Sequence, residues 1–258
     1  MVKIIFSDFD ETLIDYYSNG GNFSNYSLDV LKRIKGREIK VAIVTGRPIN
    51  FFGGISSLLN HVDYIIASNG AEIYNVKEKK IIYYKDIDKN VFEQIFDYCK
   101  ENKIRFLVNS GVKRYYYGKG HFSSSIPIEN NDVDHINQVI FLLNNKREFE
   151  ELKYFLVGIK EIKLSNIVYN DDRCSIDINE KSVSKGNSVQ YLCDLLEIDV
   201  EDTIAFGDSD NDISMFEVVG KSICVGNATD VIKQLVDEVI GDCNRDGVFK
   251  YIDDNILK

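Results

Sequence analysis

Continuous apolar runs that end in polar turns and alternate with helical spacing mark both ends of this 258-residue chain, but not its middle. Val2 to Ser7, Ile39 to Val44 and Asp63 to Ala67 are such runs. Strands buried on both faces read this way when helices cover a parallel sheet. Leu28, Leu31 and Ile34 fall at helical spacing between the first two, and Ile49 to Leu59, after Pro48, reads as a further helix. After Ser184 the same pattern returns. It runs through a helix at Asn187 to Leu196, a strand at Thr203 to Phe206, a helix from Asp210, a strand at Ser222 to Val225 and a helix after Asp230.

Between these flanks the pattern is shorter and alternating. Glu72 to Val76 and Lys80 to Tyr84 flank a charged turn and read as a hairpin. Helices at Val91 to Lys100 and Glu148 to Val157 then join strands at Ile104 to Val108, Arg114 to Tyr117, Val139 to Leu143, Ile167 to Tyr169 and Cys174 to Ile178. The expected fold is an α/β doubly wound parallel-sheet core, residues 1–82 and 183–258, carrying an inserted α+β domain at 83–182.

Lys plus Arg number 31 against 41 Asp plus Glu, a formal charge of −10 that argues against a nucleic-acid surface or an anionic-membrane anchor. A small phosphorylated ligand stays compatible, because one cation reverses the field locally. No apolar run approaches the roughly 20 residues of a membrane span, and no secretory leader pattern opens the chain, so a cytoplasmic protein is expected. The five cysteines form no CxxC pair and read as small buried hydrophobes. His61, His121 and His135 lack metal-ligand spacing and read as surface or core residues.

The chemistry-bearing residues gather at strand ends. Asp8, Phe9, Asp10, Glu11 and Thr12 follow the first strand, where carboxylates at i and i+2 can share one crevice. Thr45, Gly46 and Arg47 follow the second, and a hydroxyl and a flexible amide before a helix suit a phosphate. Gly207, Asp208, Ser209, Asp210, Asn211 and Asp212 follow the strand at Thr203, and Lys185 with Gly186 opens a helix. Each piece has a plainer reading: Thr45 and Asp210 as helix caps, Lys185 as a solvated charge. Their recurrence at equivalent topological positions favours one site.

This constellation resembles the haloacid dehalogenase (HAD) superfamily, and the insertion after the third strand resembles its Cof-type phosphatases with an α/β cap, subclass IIB. The likeness covers nearly the whole chain, through Asp8 to Leu13, Val44 to Pro48, Ser68 to Ala71, Ser184 to Gly186, Gly207 to Met215, Val225 to Ala228 and Asp246 to Val248. One departure is Glu11, where the family usually has Gly.

The resemblance implies that Asp8 is a nucleophile forming an aspartyl-phosphate and that Asp10 is the acid/base. Thr12, Thr45, Gly46, Arg47, Lys185 and Asn211 would contact phosphate or substrate. Mg²⁺ would be held through Asp8, the Asp10 carbonyl and Asp208, with Asp212 behind them orienting Lys185 or a metal-bound water. Ser68, Asn69 and Gly70 would shape the cleft floor or serve turn geometry. The implied activity is Mg²⁺-dependent hydrolysis of small phosphorylated metabolites, such as sugar phosphates or phosphorylated cofactors. A phosphomannomutase-type sugar phosphomutase and a non-catalytic regulator that binds a phosphorylated ligand are the alternatives. In the inserted cap, Lys113 to Lys119 is a dense basic-aromatic patch. It reads either as a specificity surface, with Arg114 and Tyr116 on one face, or as a charged edge strand.

Overall fold

A computed structural model describes residues 2–15, 23–54, 59–120, 124–128, 132–169 and 174–258. The first half of the core comprises β1 (Ile4–Ser7), α1 (Asn25–Lys35), β2 (Lys40–Val44), β3 (Tyr64–Ala67) and the hairpin β4 (Glu72–Asn75) and β5 (Lys80–Tyr84). Ser24 caps α1 by accepting from the Ser27 amide, and the helix buries Val30, Leu31 and Ile34. Ile49–Gly54 forms a 3-10 turn rather than the opening of the expected helix, and residues 55–58 of that stretch lie outside the described set. Its sequence, INFFGG, ends in two glycines, which disfavour a helix interior.

The inserted segment contains α2 (Lys89–Glu101), β6 (Arg105–Ser110), β7 (Lys113–Tyr117), β8 (Ile126–Pro127), β9 (Gln138–Leu143), α3 (Lys146–Val157), β10 (Ile162–Tyr169) and β11 (Cys174–Glu180). The chain then completes the core with α4 (Lys185–Leu195), β12 (Thr203–Gly207), a 3-10 turn Asp210–Asp212, α5 (Ile213–Phe216), β13 (Lys221–Cys224), α6 (Asp230–Lys233), β14 (Glu238–Val239) and α7 (Gly247–Asn255). The helix expected from Asp210 thus begins as a 3-10 turn and becomes α-helical only at Ile213.

Among the described residues two sheets form. The first runs β14-β13-β12-β1-β2-β3-β4-β5, parallel from β14 to β3 and closed at one edge by the antiparallel hairpin. β5 continues this sheet to Tyr84, two residues past position 82. Its two faces bury separate apolar clusters, one holding Ile5, Phe9, Ile43 and Phe206, the other Ile4, Phe6, Val44 and Ala205. That is why its strands read as unbroken apolar runs.

The second sheet runs β10-β11-β9-β6-β7-β8 and is mixed, β7 and β8 being parallel. Among the described residues one of its faces packs on helices: Phe106, Val108, Tyr115, Phe141, Ile176 and Ile178 cluster with Val91, Phe92, Phe96 and Leu152. The opposite face carries Asn109, Gln138, Ser175, Asp177 and Asn179, polar yet buried. Buried polar side chains on a face without helices locate the surface that meets the core. Cross-strand pairing puts Arg114 opposite Asn109 and Tyr116 opposite Leu107, so both share this face, whereas Tyr115 points to the helices. β7 is not an edge, because β8 pairs outside it. Among the described residues no helix is long and apolar enough to cross a membrane.

Candidate active site

β1, β2 and β12 end side by side, and their following turns bring residues far apart in sequence into one crevice. Asp8 is 6% exposed. The buried Lys185, opening α4, reaches it: its Nζ lies 2.5 Å from Asp8 Oδ1 and 2.6 Å from Asp212 Oδ1. Asp212 Oδ2 accepts the backbone amides of Asp208 (3.0 Å) and Ser209 (3.1 Å), which fixes the loop after β12. Asp212 therefore both anchors Lys185 and shapes the turn that carries Asp208. Gly207 is required there, since a Cβ would strike the Asp212 carboxyl.

Oxygens of Asp8, Asp208 and Asp212 lie within 4.8 Å of one another. Burial, with Asp212 and Asp208 adding to it, pushes the Asp8 carboxyl well above the usual carboxylate range against the pull of Lys185. Burial and then Asp212 raise Asp208 to about 6, against a hydrogen bond from Thr12. Burial pulls the Lys185 ammonium down, yet Asp212 and Asp8 together hold it above its ordinary value. One ammonium does not neutralise three crowded carboxylates, and a hard dication with oxygen ligands fits what remains.

Several sequence-selected residues have hydrogen-bond partners within the site. Thr12 is buried and donates to Asp208 Oδ1 at 3.0 Å, so its hydroxyl steadies a carboxylate rather than facing the cavity. Thr45 is fully buried, and its hydroxyl accepts the Arg47 amide at 3.1 Å, a local turn bond. The Arg47 guanidinium closes on Asp10, with Nε 2.9 and 2.8 Å from the two carboxylate oxygens, and stacks over Phe51 at 4.0 Å. Glu11 sits at φ 57°, a left-handed conformation that Gly adopts without the steric cost borne by other residues.

The turn after β3 is the most strained part of the site. Ser68, Asn69 and Gly70 all have positive φ, at 50°, 62° and 105°. The two non-glycine residues cost on the order of 1–3 kcal/mol each in such geometry, which persists only where surroundings over-determine it. Here Ser68 N donates to Arg47 O (2.9 Å), Asn69 N to Thr45 O (3.0 Å) and Ser188 Oγ to Gly70 O (2.6 Å). A Cβ on Gly70 would collide with the Ser184 carbonyl just before Lys185. Asn69 Oδ1 accepts from Asn211 at 3.4 Å. This turn thus joins the segments bearing Arg47, Lys185 and Asn211.

A cavity of about 860 Å³ opens above Asp8. On the core side it is lined by Asp8, Asp10, Gly46, Arg47, Asn69, Asp208 and Asn211, and on the cap side by Gln138, Ile140, Leu164, Ser165, Asn166, Ile167 and Asp177. A bulge between Leu164 and Asn166 breaks strict alternation in β10, bringing consecutive residues to the rim. Asn166 donates to Asp177 Oδ2 at 3.3 Å. Arg114 and Tyr116 are not among the lining residues. Arg114 donates to Asn109 Oδ1 (3.0 Å), Asn109 to Gln138 Oε1 (2.8 Å), and Gln138 in turn approaches the Gly46 carbonyl at 3.5 Å. Arg114 thus stands behind the lining, two hydrogen bonds from Gln138 and three from the core.

Residue-level reading of the sequence missed Gln138, Asn166, Asp177 and Asn179. Asp177 and Asn179 left a signal, polar residues alternating with apolar ones in Cys174 to Glu180, whereas Gln138 only heads the apolar run QVIFLL and Asn166 sits at the bulge of β10. Alternation of that kind is also what a solvated face produces. His135 lies at the junction of core and cap, its Nδ1 2.7 Å from Asp86, and His121 lies outside the described residues.

The sequence profile of haloacid dehalogenase-like hydrolases matches residues 5–252. This chain belongs to that family. The HAD subclass IIB sugar phosphatase BT4131 superimposes with a TM-score of 0.81 at 19% identity, covering all of both chains, and so shares the fold of this haloacid dehalogenase-like hydrolase. A phosphoglycolate phosphatase of Methanobrevibacter smithii is 26% identical over 99% of each protein. A 5-amino-6-(5-phospho-D-ribitylamino)uracil phosphatase of Bacillus subtilis is 23% identical over 97% of this chain and 94% of its own length. The HAD-like hydrolase described here is a phosphatase, and HAD phosphatases generally use Mg²⁺.

Proposed function

We propose that this phosphatase hydrolyses small phosphomonoesters whose leaving group is neutral and hydroxylated, such as sugar or polyol phosphates, through an aspartyl-phosphate on Asp8. The observation that carries this reading is the make-up of the cavity. Its floor holds a buried carboxylate beside Lys185, and its cap side offers Gln138, Ser165, Asn166 and Asp177, with no cation among the described residues that line that side. Amides, a hydroxyl and a carboxylate suit sugar hydroxyls, while a carboxylated leaving group meets Asp177 as a like charge.

Asp8 attacks phosphorus, the bond to the leaving oxygen breaks, and protonated Asp10 gives that oxygen its proton. Asp10 then takes a proton from water, whose oxygen attacks the phosphorus and frees Asp8 and inorganic phosphate. Lys185 keeps Asp8 aimed and balances charge on the phosphoryl oxygens, and Asn211 with the Gly46 amide supplies donors. Asp8, Asp208 and the Asp10 carbonyl would hold Mg²⁺, with Asp212 behind them. Bound there, the ion supplies the positive charge that lets a phosphoryl group approach several carboxylates.

A phosphomutase must also hold a second phosphate away from Asp8, and among the described residues the cap lining offers no cation for one. A non-catalytic regulator would have no use for Asp8, Asp10, Lys185 and Asp208 together. The test is release of inorganic phosphate from a panel of sugar, polyol and carboxylated phosphomonoesters with Mg²⁺. Turnover of the neutral class supports the reading, whereas phosphate returned to the sugar, or no release at all, overturns it.

A further inference from the structure

Glu72 opens β4 directly behind the strained Ser68–Gly70 turn and is fully buried. The groups that act on it are the Ile49 amide, the Ser68 hydroxyl and the Asp86 carboxylate, none of them a cation. Its Oε1 accepts from Ile49 N at 3.2 Å and from Ser68 Oγ at 3.0 Å, and its Oε2 has no hydrogen-bond partner among the described residues. An ionised carboxyl without a counter-ion is unfavourable inside a protein, and an apolar side chain of similar size would fill the space more stably. Its presence therefore calls for a role other than stability.

What Glu72 holds is specific. Ile49 follows directly on Arg47 and Pro48, and Ser68 directly precedes Asn69. One carboxylate oxygen thus ties together two segments that reach the cavity from the ends of β2 and β3, one carrying Gly46 and Arg47, the other Asn69. Ser68 is also touched by the cap, its carbonyl accepting from Asn179 at 3.0 Å while Asn179 donates to Asn137 O at 2.7 Å.

We propose that Glu72 is a positioning residue for phosphoryl transfer, its ionised carboxylate clamping the Arg47–Ile49 and Ser68–Gly70 segments so that Arg47 and Asn69 are set at the reacting group. The proposal rests on the phosphatase reading above. Burial pushes the Glu72 carboxyl up to about 7, Asp86 adding to this and the two donors opposing it. Around it, Asp86 comes from the irregular segment connecting β5 to α2, Tyr84 faces it from β5, and His135 of the cap is bonded to Asp86 and stacked on Tyr84. Hydrogen bonds to an ionised acceptor are roughly twice as strong as to a neutral one, so the clamp tightens as pH rises through neutrality.

The test is kcat and KM for an aryl phosphate at saturating Mg²⁺ from pH 5.5 to 8.5, in wild type, Glu72→Gln and Glu72→Leu. The amide of Glu72→Gln mimics the protonated acid. Its kcat relative to wild type is expected near unity at pH 5.5 and lower by about fivefold at pH 8.5, with KM little changed. The ratio cancels titration of Asp8 and Asp208, which both proteins share. Glu72→Leu, lacking an acceptor, is expected about tenfold down throughout. A ratio independent of pH, or full activity in Glu72→Leu, overturns the proposal. Should Glu72→Leu not fold, the Glu72→Gln ratio decides alone. Absence of turnover in wild type instead removes the phosphatase reading itself, and the proposal with it.

Discussion

Arg47 grips Asp10 across 37 residues of sequence, its Nη2 2.6 Å from Asp10 Oδ1 and its Nε bridging both carboxylate oxygens. The pair occupies the carboxyl group that the first half of the reaction needs as proton donor to the leaving oxygen. An arriving phosphoryl group is a competing bidentate partner for the guanidinium and can draw it away. Arg47→Lys keeps the charge and loses the fork. It is expected to lower kcat/KM for alkyl phosphates by about tenfold or more, with a smaller loss on activated aryl phosphates. Equal losses on both would show that Arg47 acts on the phosphoryl group alone.

Asp8→Asn should abolish turnover, by at least about four orders of magnitude, because an amide cannot serve as the nucleophile. The fold should survive, since Lys185 keeps Asp212 at 2.6 Å and the substitution removes a carboxyl that burial disfavours. Circular dichroism together with phosphate release checks both halves. Turnover comparable to wild type would remove Asp8 from the mechanism.

The doubly wound core was legible because helices cover both faces of its sheet, leaving unbroken apolar runs such as Ile4–Ser7 and Lys40–Val44, each ending at the site. Asp8 and Asp208 were legible for the same reason, since a carboxylate at the end of such a strand stands out, and Lys185 was legible as the opening of the helix where the core pattern returns. The cap lining was not. Gln138 and Asp177 are buried by a second domain, and local pattern does not distinguish a strand face covered by protein from one covered by water. The role of Arg47 was hidden too, since pairing with Asp10 depends on the turn geometry after β1 and β2. Glu72 looked like the polar half of a hairpin strand until the turn it supports was visible.

Metal dependence should carry its own pH signature. Asp208 lies near 6 without metal and must lose its proton to act as a ligand. The Mg²⁺ concentration for half-maximal activity is expected to rise by about tenfold per pH unit as pH falls below 6. Full chelation should abolish activity and added Mg²⁺ restore it. A Mg²⁺ requirement unchanged between pH 7.5 and 5 would place Asp208 outside the metal site.

Stability should run opposite to activity. Glu72 is held at about 7 against an ordinary value of 4.5, so the folded state binds more protons than the unfolded state between those values. Stability then falls as pH rises through that window, by on the order of 3 kcal/mol for this group. Urea unfolding of metal-free protein at pH 5 and 7.5 should show the slope, and Glu72→Gln should flatten it while gaining stability at pH 7.5. A variant both more stable and less active at high pH is the signature of a residue kept for function. A slope unaltered by the substitution would mean that Glu72 titrates near its ordinary value.

The last prediction separates the residues lining the cap cavity from those behind it. Asp177 and Asn166 face the space into which a leaving group projects, while Arg114 reaches that space through Asn109 and Gln138. A hydrogen bond from a substrate hydroxyl to a charged acceptor contributes about 1.5–3 kcal/mol, so Asp177→Asn should lower kcat/KM for polyol phosphates by about tenfold or more. The same change removes a like charge and should raise kcat/KM for 2-phosphoglycolate. An aryl phosphate, whose ring makes no such bond, should be nearly unaffected, since only the non-reacting part of the substrate has changed partners. Arg114→Ala should shift the same ratios in one direction for every leaving group, because it loosens Gln138 against Gly46 without touching the substrate. A substrate profile that moves with Arg114 or Tyr116 and not with Asp177 would transfer specificity to the basic-aromatic strand and away from the β9, β10 and β11 rim.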